Sequence, residues 1–372
     1  MATGQYVSRG YTPEDLDVPE DARRLAEEVG ADHARRERAA VEAWAERLGA
    51  VLDRGRMQVR ESLGTERWVE LRRRMREARA DFSDLFQPPA DRGDEYDALN
   101  AARIESVHKF LADAGVSTER LRAIHHAVNQ EAATLVPVVN SVPGYADWLH
   151  PTERPVAAAD FADDPHAWRT FRAPYGGWQT GHSTFSSGGS FAVNFTHHLD
   201  TNAGLVGNTI TLTNTDASDF DNGWAVLDTQ VKVWFQAPVT GVVETFIEAR
   251  AGRGLHSVQV TDEFGTSDSS TTQQNWHMAH VLHPNVSQPS FGFFSRFNLA
   301  TDNNANVQRE YITQGRVYTS RLFSDGPIPQ GQWVEIRVGT RSQDGSITND
   351  MEIRSLSEFR WFLQAVSVRI AP

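Results

Sequence analysis

The sequence has no cysteine, which excludes zinc ribbons, CxxC redox sites, iron–sulfur clusters, cysteine nucleophiles and disulfide staples. No stretch approaches the roughly 18 consecutive apolar residues of a bilayer-spanning helix, so no stable membrane span is expected. Its start, Met1-Ala2-Thr3-Gly4-Gln5-Tyr6, lacks a basic n-region and an apolar run. A cytoplasmic protein, or one released by a non-Sec route, is the expectation. Basic residues are in the minority: 36 Lys+Arg against 49 Asp+Glu give a net charge of −13 over 372 residues. Such a chain lacks the basic face needed to neutralise phosphates, so no nucleic-acid partner is expected. Neither a Walker A loop nor a GxGxxG motif occurs.

What is present divides the chain in two. Residues 1–140 hold 21 Lys+Arg and 26 Asp+Glu, whereas the longer segment 141–372 holds only 15 and 23. The first part is striped as helices are: Val41, Trp44, Leu48, Val51 and Leu52; Trp68, Leu71, Met75, Phe82 and Leu85; Tyr96, Leu99, Val107 and Leu111; Leu121, Ile124, Val128 and Leu135. Gly64 and Gln87-Pro88-Pro89 are breaks, and Ser117 suits an N-cap. One-sided helices must pack together, which predicts an antiparallel helical bundle over 1–136. The Arg72-Arg73-Arg74 run reads as a solvated face paired with Glu70 and Glu77.

The second part alternates as strands do, most clearly in Thr209–Thr213 and in Ala225–Phe235, where Val231, Val233 and Phe235 share a face. Asn222-Gly223, Asp325-Gly326-Pro327 and Asp344-Gly345 read as turns. The fold class expected is α+β multidomain: the bundle, a connector over 137–166, and an all-β antiparallel sandwich, jelly-roll-like, over 167–372.

Three constellations carry chemistry. His198-Leu199-Asp200 puts an imidazole and a carboxylate on one strand face, with His256, His277, His280 or His283 downstream, His283 being the third ligand chosen here. The pair resembles the His-x-Asp…His pattern of 2-oxoglutarate/iron(II) oxygenases. That resemblance implies iron on a jelly-roll core, with Arg296 as the candidate for the cosubstrate carboxylate. Asp216, Asp219 and Asp221, next to Asn222-Gly223, offer closely spaced oxygens of the kind a calcium loop uses; a plain turn uses the same residues. Tyr175, Trp178 and Trp224 stand beside glycines, where exposed rings would stack on sugars or anchor a protein, the alternative being core packing.

No catalytic group recurs with the spacing its chemistry requires. The function expected is therefore a non-enzymatic structural or recognition protein. Its sandwich loops would bind a protein or glycan partner, and its helices would serve docking or homo-oligomerisation. No cofactor is required by this reading. Calcium and iron are the two alternatives, the latter as a non-haem iron oxygenase, and a toxin or particle component is a third reading.

Overall fold

The computed structural model describes residues 3–9, 18–82, 93–135, 164–187, 191–214, 221–262, 268–301, 305–349 and 351–372. Most of the connector 137–166 lies outside them.

Helix α1 (Glu20–Leu63) starts behind Pro19 with Glu20 and Asp21 at its positive end, and stops at Gly64, whose φ of 78° suits only glycine well. It is followed by α2 (Thr65–Phe82), α3 (Gly93–Asp113) and α4 (Thr118–Thr134). Ser117 caps α4, its Oγ accepting from the Arg120 amide at 3.3 Å, as its sequence position suggests. Arg73 grips Glu70 at 2.7 Å one turn back, on an exposed face.

Among the described residues, a bundle closed by the helices alone is not shown. Trp44, Leu48, Leu52, Leu111, Leu121 and Val128 form one cluster, and that cluster continues into Phe185, Trp224 and Ile347 of the β region. The helices are a layer laid on a sheet.

Among the described residues, one strand precedes the helices and twelve follow them, in two antiparallel sheets. Sheet A has the order β1 (Thr3–Arg9), β3 (Gly177–Ser187), β6 (Asp221–Gln236), β12 (Trp333–Asn349), β8 (Asp268–Leu282) and β9 (Ser290–Thr301). Sheet B runs β10 (Ala305–Glu310), β7 (Gly241–Asp262), β13 (Met351–Ile370), β5 (Leu205–Asn214) and β4 (Phe191–Asp200). Beside that path, β11 (Val317–Ile328) pairs with β7 and β2 (Arg169–Phe171) pairs with β13. Val231, Val233 and Phe235 do share a face, turned to sheet B against Val243, Ile247, Phe359 and Trp361.

All three expected turns lie inside strands. Asn222-Gly223 belongs to β6 and Asp344-Gly345 to β12, and the two strands are paired there, Gly345 opposite Trp224 and Gly223 opposite Ser346. A Cβ on Gly345 would stand 2.5 Å from the Trp224 ring, and one on Gly223 would collide with Phe191. These glycines admit an aromatic ring instead of turning the chain. Asp325-Gly326-Pro327 sits in β11, where the register with β7 shifts between Phe323 and Pro327. Gly326 there abuts the Asn285 carbonyl, so the segment bulges without reversing.

Candidate functional site

The inner face of sheet A is aliphatic around Val231, Val233, Ile336 and Val338 and polar further along, at Thr229, Ser342 and Asp344; the helices cover its mixed outer face. Two apolar anchors pin α1 to it. Ala26 and Val29 meet Trp234 and Leu282 near the helix start, and Trp44 meets Phe185 and Trp224 further on, with ring centroids 5.4 Å apart in edge-on geometry. Between the anchors, residues 30–40 of α1 read Gly-Ala-Asp-His-Ala-Arg-Arg-Glu-Arg-Ala-Ala, with no large apolar side chain to fill the gap. The helix therefore arches over a cavity of about 240 Å³, bordered by Ala34 and Ala40 above and by Met278 and Phe291 below.

The floor of this cavity is charged. Asp228 on β6 lies beside Arg341 on β12, and its two oxygens accept from Arg341 Nε and Nη2 at 2.7 and 2.6 Å. Glu37 of α1 completes the triad, its Oε1 2.8 Å from Arg341 Nη1. This bidentate geometry is the strong form of the guanidinium–carboxylate pair. Burial pushes the Asp228 carboxyl up, and the Arg341 guanidinium opposes that push. Four residues back along β12, Arg337 donates Nε to Glu335 at 2.6 Å, and Glu335 also faces Lys232 at 3.7 Å. Burial draws the Lys232 ammonium down, with Glu335 working against it.

The charges are unevenly placed. Arg341 is answered by two carboxylates, whereas Glu335 is shared by two cations. The cavity thus has a negative end and a positive end.

At the positive end two imidazoles meet. His33 Nδ1 of α1 lies 2.5 Å from His280 Nε2 of β8, with the rings stacked at 4.7 Å, so one donates and the other accepts. Burial, then Arg337, holds His280 well below the ordinary imidazole range, and burial, then Arg36, lowers His33. Both are neutral at pH 7.

The residues singled out in the sequence lie elsewhere. Tyr175 is buried in the core between the sheets, and its amide donates to the Thr201 carbonyl. Trp224 is buried beneath Trp44. Trp178 is half-buried, opposite Val231 and so turned toward sheet B. None of the three rings borders the cavity: Trp178 and Trp224 belong to strands, and Tyr175, in the bend before β3, is turned into the core.

His198 and Asp200 do share the outer face of sheet B, but the downstream histidines lie away from them. His198 Nε2 pairs with Thr209 Oγ1 at 2.8 Å, and burial lowers its pKa. Asp200 Oδ1 caps the following turn, accepting from the Asn202 and Ala203 amides at 3.0 and 3.3 Å. His283 directly follows β8 of the other sheet, its ring held by Gln332 Oε1 at 2.5 Å and by the Asn285 amide at 3.1 Å. His256 and His277 point between the sheets onto Ser295 and Ser320. Asp216 and Asp219 lie outside the described residues, as does the side chain of Asp221. Among the described residues, no three His, Cys, Asp or Glu side chains gather as a metal would need.

Sequence reasoning reached His280 only as one of four histidines downstream of His198, and missed Arg337, Arg341, Asp228 and His33. A signal existed: Glu335, Arg337 and Arg341 alternate with Val334, Ile336 and Val338, so the charges fall on one face of a strand.

No family model matches the chain, and no curated protein matches it. One solved structure, described as "CBM4 structure and function", aligns at 11% identity over 55% of this chain and 95% of that one, with a TM-score of 0.14. So loose a superposition carries no inference. Among the described residues, no helix is long and apolar enough to cross a membrane.

Proposed function

We infer that the chain is a recognition protein, a β-sandwich stiffened by a helical layer, which receives a small polar ligand in the cavity beneath α1. One observation carries the reading: charged and hydrogen-bonding groups and the apolar side chains of Met278 and Phe291 converge on one cavity, between elements anchored on both sides of it. The volume suits a single sugar residue, whether free, at the end of a glycan or carried by a partner protein. This keeps the glycan or protein partner expected from the sequence and moves its site from the sandwich loops to the helix–sheet seam. Homo-oligomerisation through the helices belongs to the same proposal, and light scattering on the purified chain tests it.

Filling the cavity tests the main reading. Ala34→Trp places a ring in the space while leaving both anchors intact. Calorimetric titration against a panel of monosaccharides and short glycans should find a ligand for the native chain and none for the variant. Equal binding by both would place recognition elsewhere on the surface.

A further inference from the structure

Among the described residues that border that cavity, Arg337 has two of its three nitrogens uncommitted. Arg337 is 8% exposed, and only its Nε is used, on Glu335. Its Nη1 and Nη2 make no hydrogen bond among the described residues. They lie under the bare backbone of Gly30, where an added Cβ would stand 3.2 and 2.9 Å from them. Glycine in mid-helix costs about 1 kcal/mol relative to alanine, and here it gives the guanidinium room beneath α1. A buried guanidinium with two free, coplanar N–H groups at a cavity wall is a fork waiting for two acceptor oxygens.

We propose that the cavity binds a carboxylate-bearing ligand, its two oxygens taken by Nη1 and Nη2 of Arg337. The inference rests on the recognition reading above and adds the chemical class of the ligand. Asp228 and Glu37 stand at the opposite end, committed to Arg341, and they disfavour a second negative charge. A monoanion therefore fits better than a phosphate dianion. Met278 and Phe291 provide an apolar surface for the rest of the ligand, and Gln179 borders the same space. A hexuronate combines these features: one carboxylate, hydroxyls for the polar wall and a C–H face for the apolar one.

The probes are glucuronate, glucose and glucose 6-phosphate, titrated calorimetrically into the full chain. Glucuronate should bind at least about 30-fold more tightly than either, the range expected for a charge-assisted bidentate pair. Arg337→Lys keeps the charge but loses the fork, and should remove most of that preference. Gly30→Ala is the second variant: it favours the helix while its methyl displaces the guanidinium, so thermal stability should hold or rise as glucuronate binding weakens about tenfold. Glucose binding as tightly as glucuronate, with Ala34→Trp abolishing both, would overturn the carboxylate inference and keep the cavity reading. Glucose 6-phosphate binding as tightly would overturn it in favour of a phosphate site. Glucuronate binding untouched by Ala34→Trp would overturn both readings, and no glucuronate binding at millimolar concentration would overturn the inference.

Discussion

The two faces of β12 are equally buried and chemically opposite. Val334, Ile336 and Val338 are fully buried between the sheets, and their neighbours Glu335, Arg337 and Arg341 are at most 8% exposed beneath α1. The aliphatic face gains from every methylene taken out of water, at about 25 cal/mol per Å². The charged face gains little net, because desolvating an ion pair offsets most of its attraction. The fold is therefore held by the inner face, while the outer face keeps charge in a low-dielectric place where it acts on a ligand more strongly than it would in water. A buried surface is not by that fact a core.

Substitutions on the two faces separate these roles. The largest effect should come from Arg341→Met, which strands the buried Asp228 carboxylate: a loss of about 4 kcal/mol in urea unfolding, recovered in large part by adding Asp228→Leu. Ile336→Ala on the inner face should cost about 3 kcal/mol, and no second substitution on the partner strands should rescue it. Rescue of Ile336→Ala, or none for Arg341→Met, would erase the distinction.

A third test uses Asp344, on the inner face of the same strand but past the aliphatic stretch. It is buried with Gln273 and Ser355 donating to one oxygen at 2.9 and 2.7 Å, and burial raises its pKa to about 7. A carboxyl with its folded pKa above its unfolded value stabilises fully at low pH. That contribution is lost as pH rises from about 4 toward 7. Asp344→Asn does not titrate, so its stability relative to the native chain should grow by about 2 kcal/mol between pH 5.5 and 7. His277 and His256, held neutral with pKa values of about 3 and about 4 by burial, act in the opposite sense below pH 6.5 and cancel in that difference. A flat difference would mean that Asp344 is charged throughout. The smallest effect should be Ser117→Ala, an exposed cap on α4 that touches neither face: about 1 kcal/mol, setting the scale for an ordinary local interaction.

Much of this was legible in the residues. Trp44, Leu48, Val51 and Leu52 recur at helical spacing and are buried together, and the alternation through Val231, Val233 and Phe235 gives a real strand face. Misreadings clustered where local chemistry and distant packing disagree. Asp344-Gly345 has the composition of a turn, yet Gln273 and Ser355 satisfy the acid and Trp224 needs the glycine, all across other strands. The seam between helices and sheet was not legible for a related reason: one-sided stripes say that helices must pack, not whether their partner is another helix or Phe185 and Trp224. The cavity itself was hidden because its walls come from α1, β6, β8 and β12, separated by up to some three hundred positions in the chain. Besides the charged face of β12, a gap in the large apolar residues of α1 between Val29 and Val41 was its trace.

The order of sheet B bears on how such a chain is made. Its central strand, β13, follows in sequence every strand it joins, pairing β7 on one side and β5 on the other. Until those residues leave the ribosome, β4–β5 and β7 with β10 and β11 are separate ribbons with open edges, and the inner face of sheet A has nothing whole to close on. Assembly must therefore be late and concerted, slow in the manner of long-range β topologies, with a window in which paired edges are exposed to other chains. A nascent chain stopped just before Met351 should partition with chaperones or aggregate, whatever the quality of the sheet A it already carries.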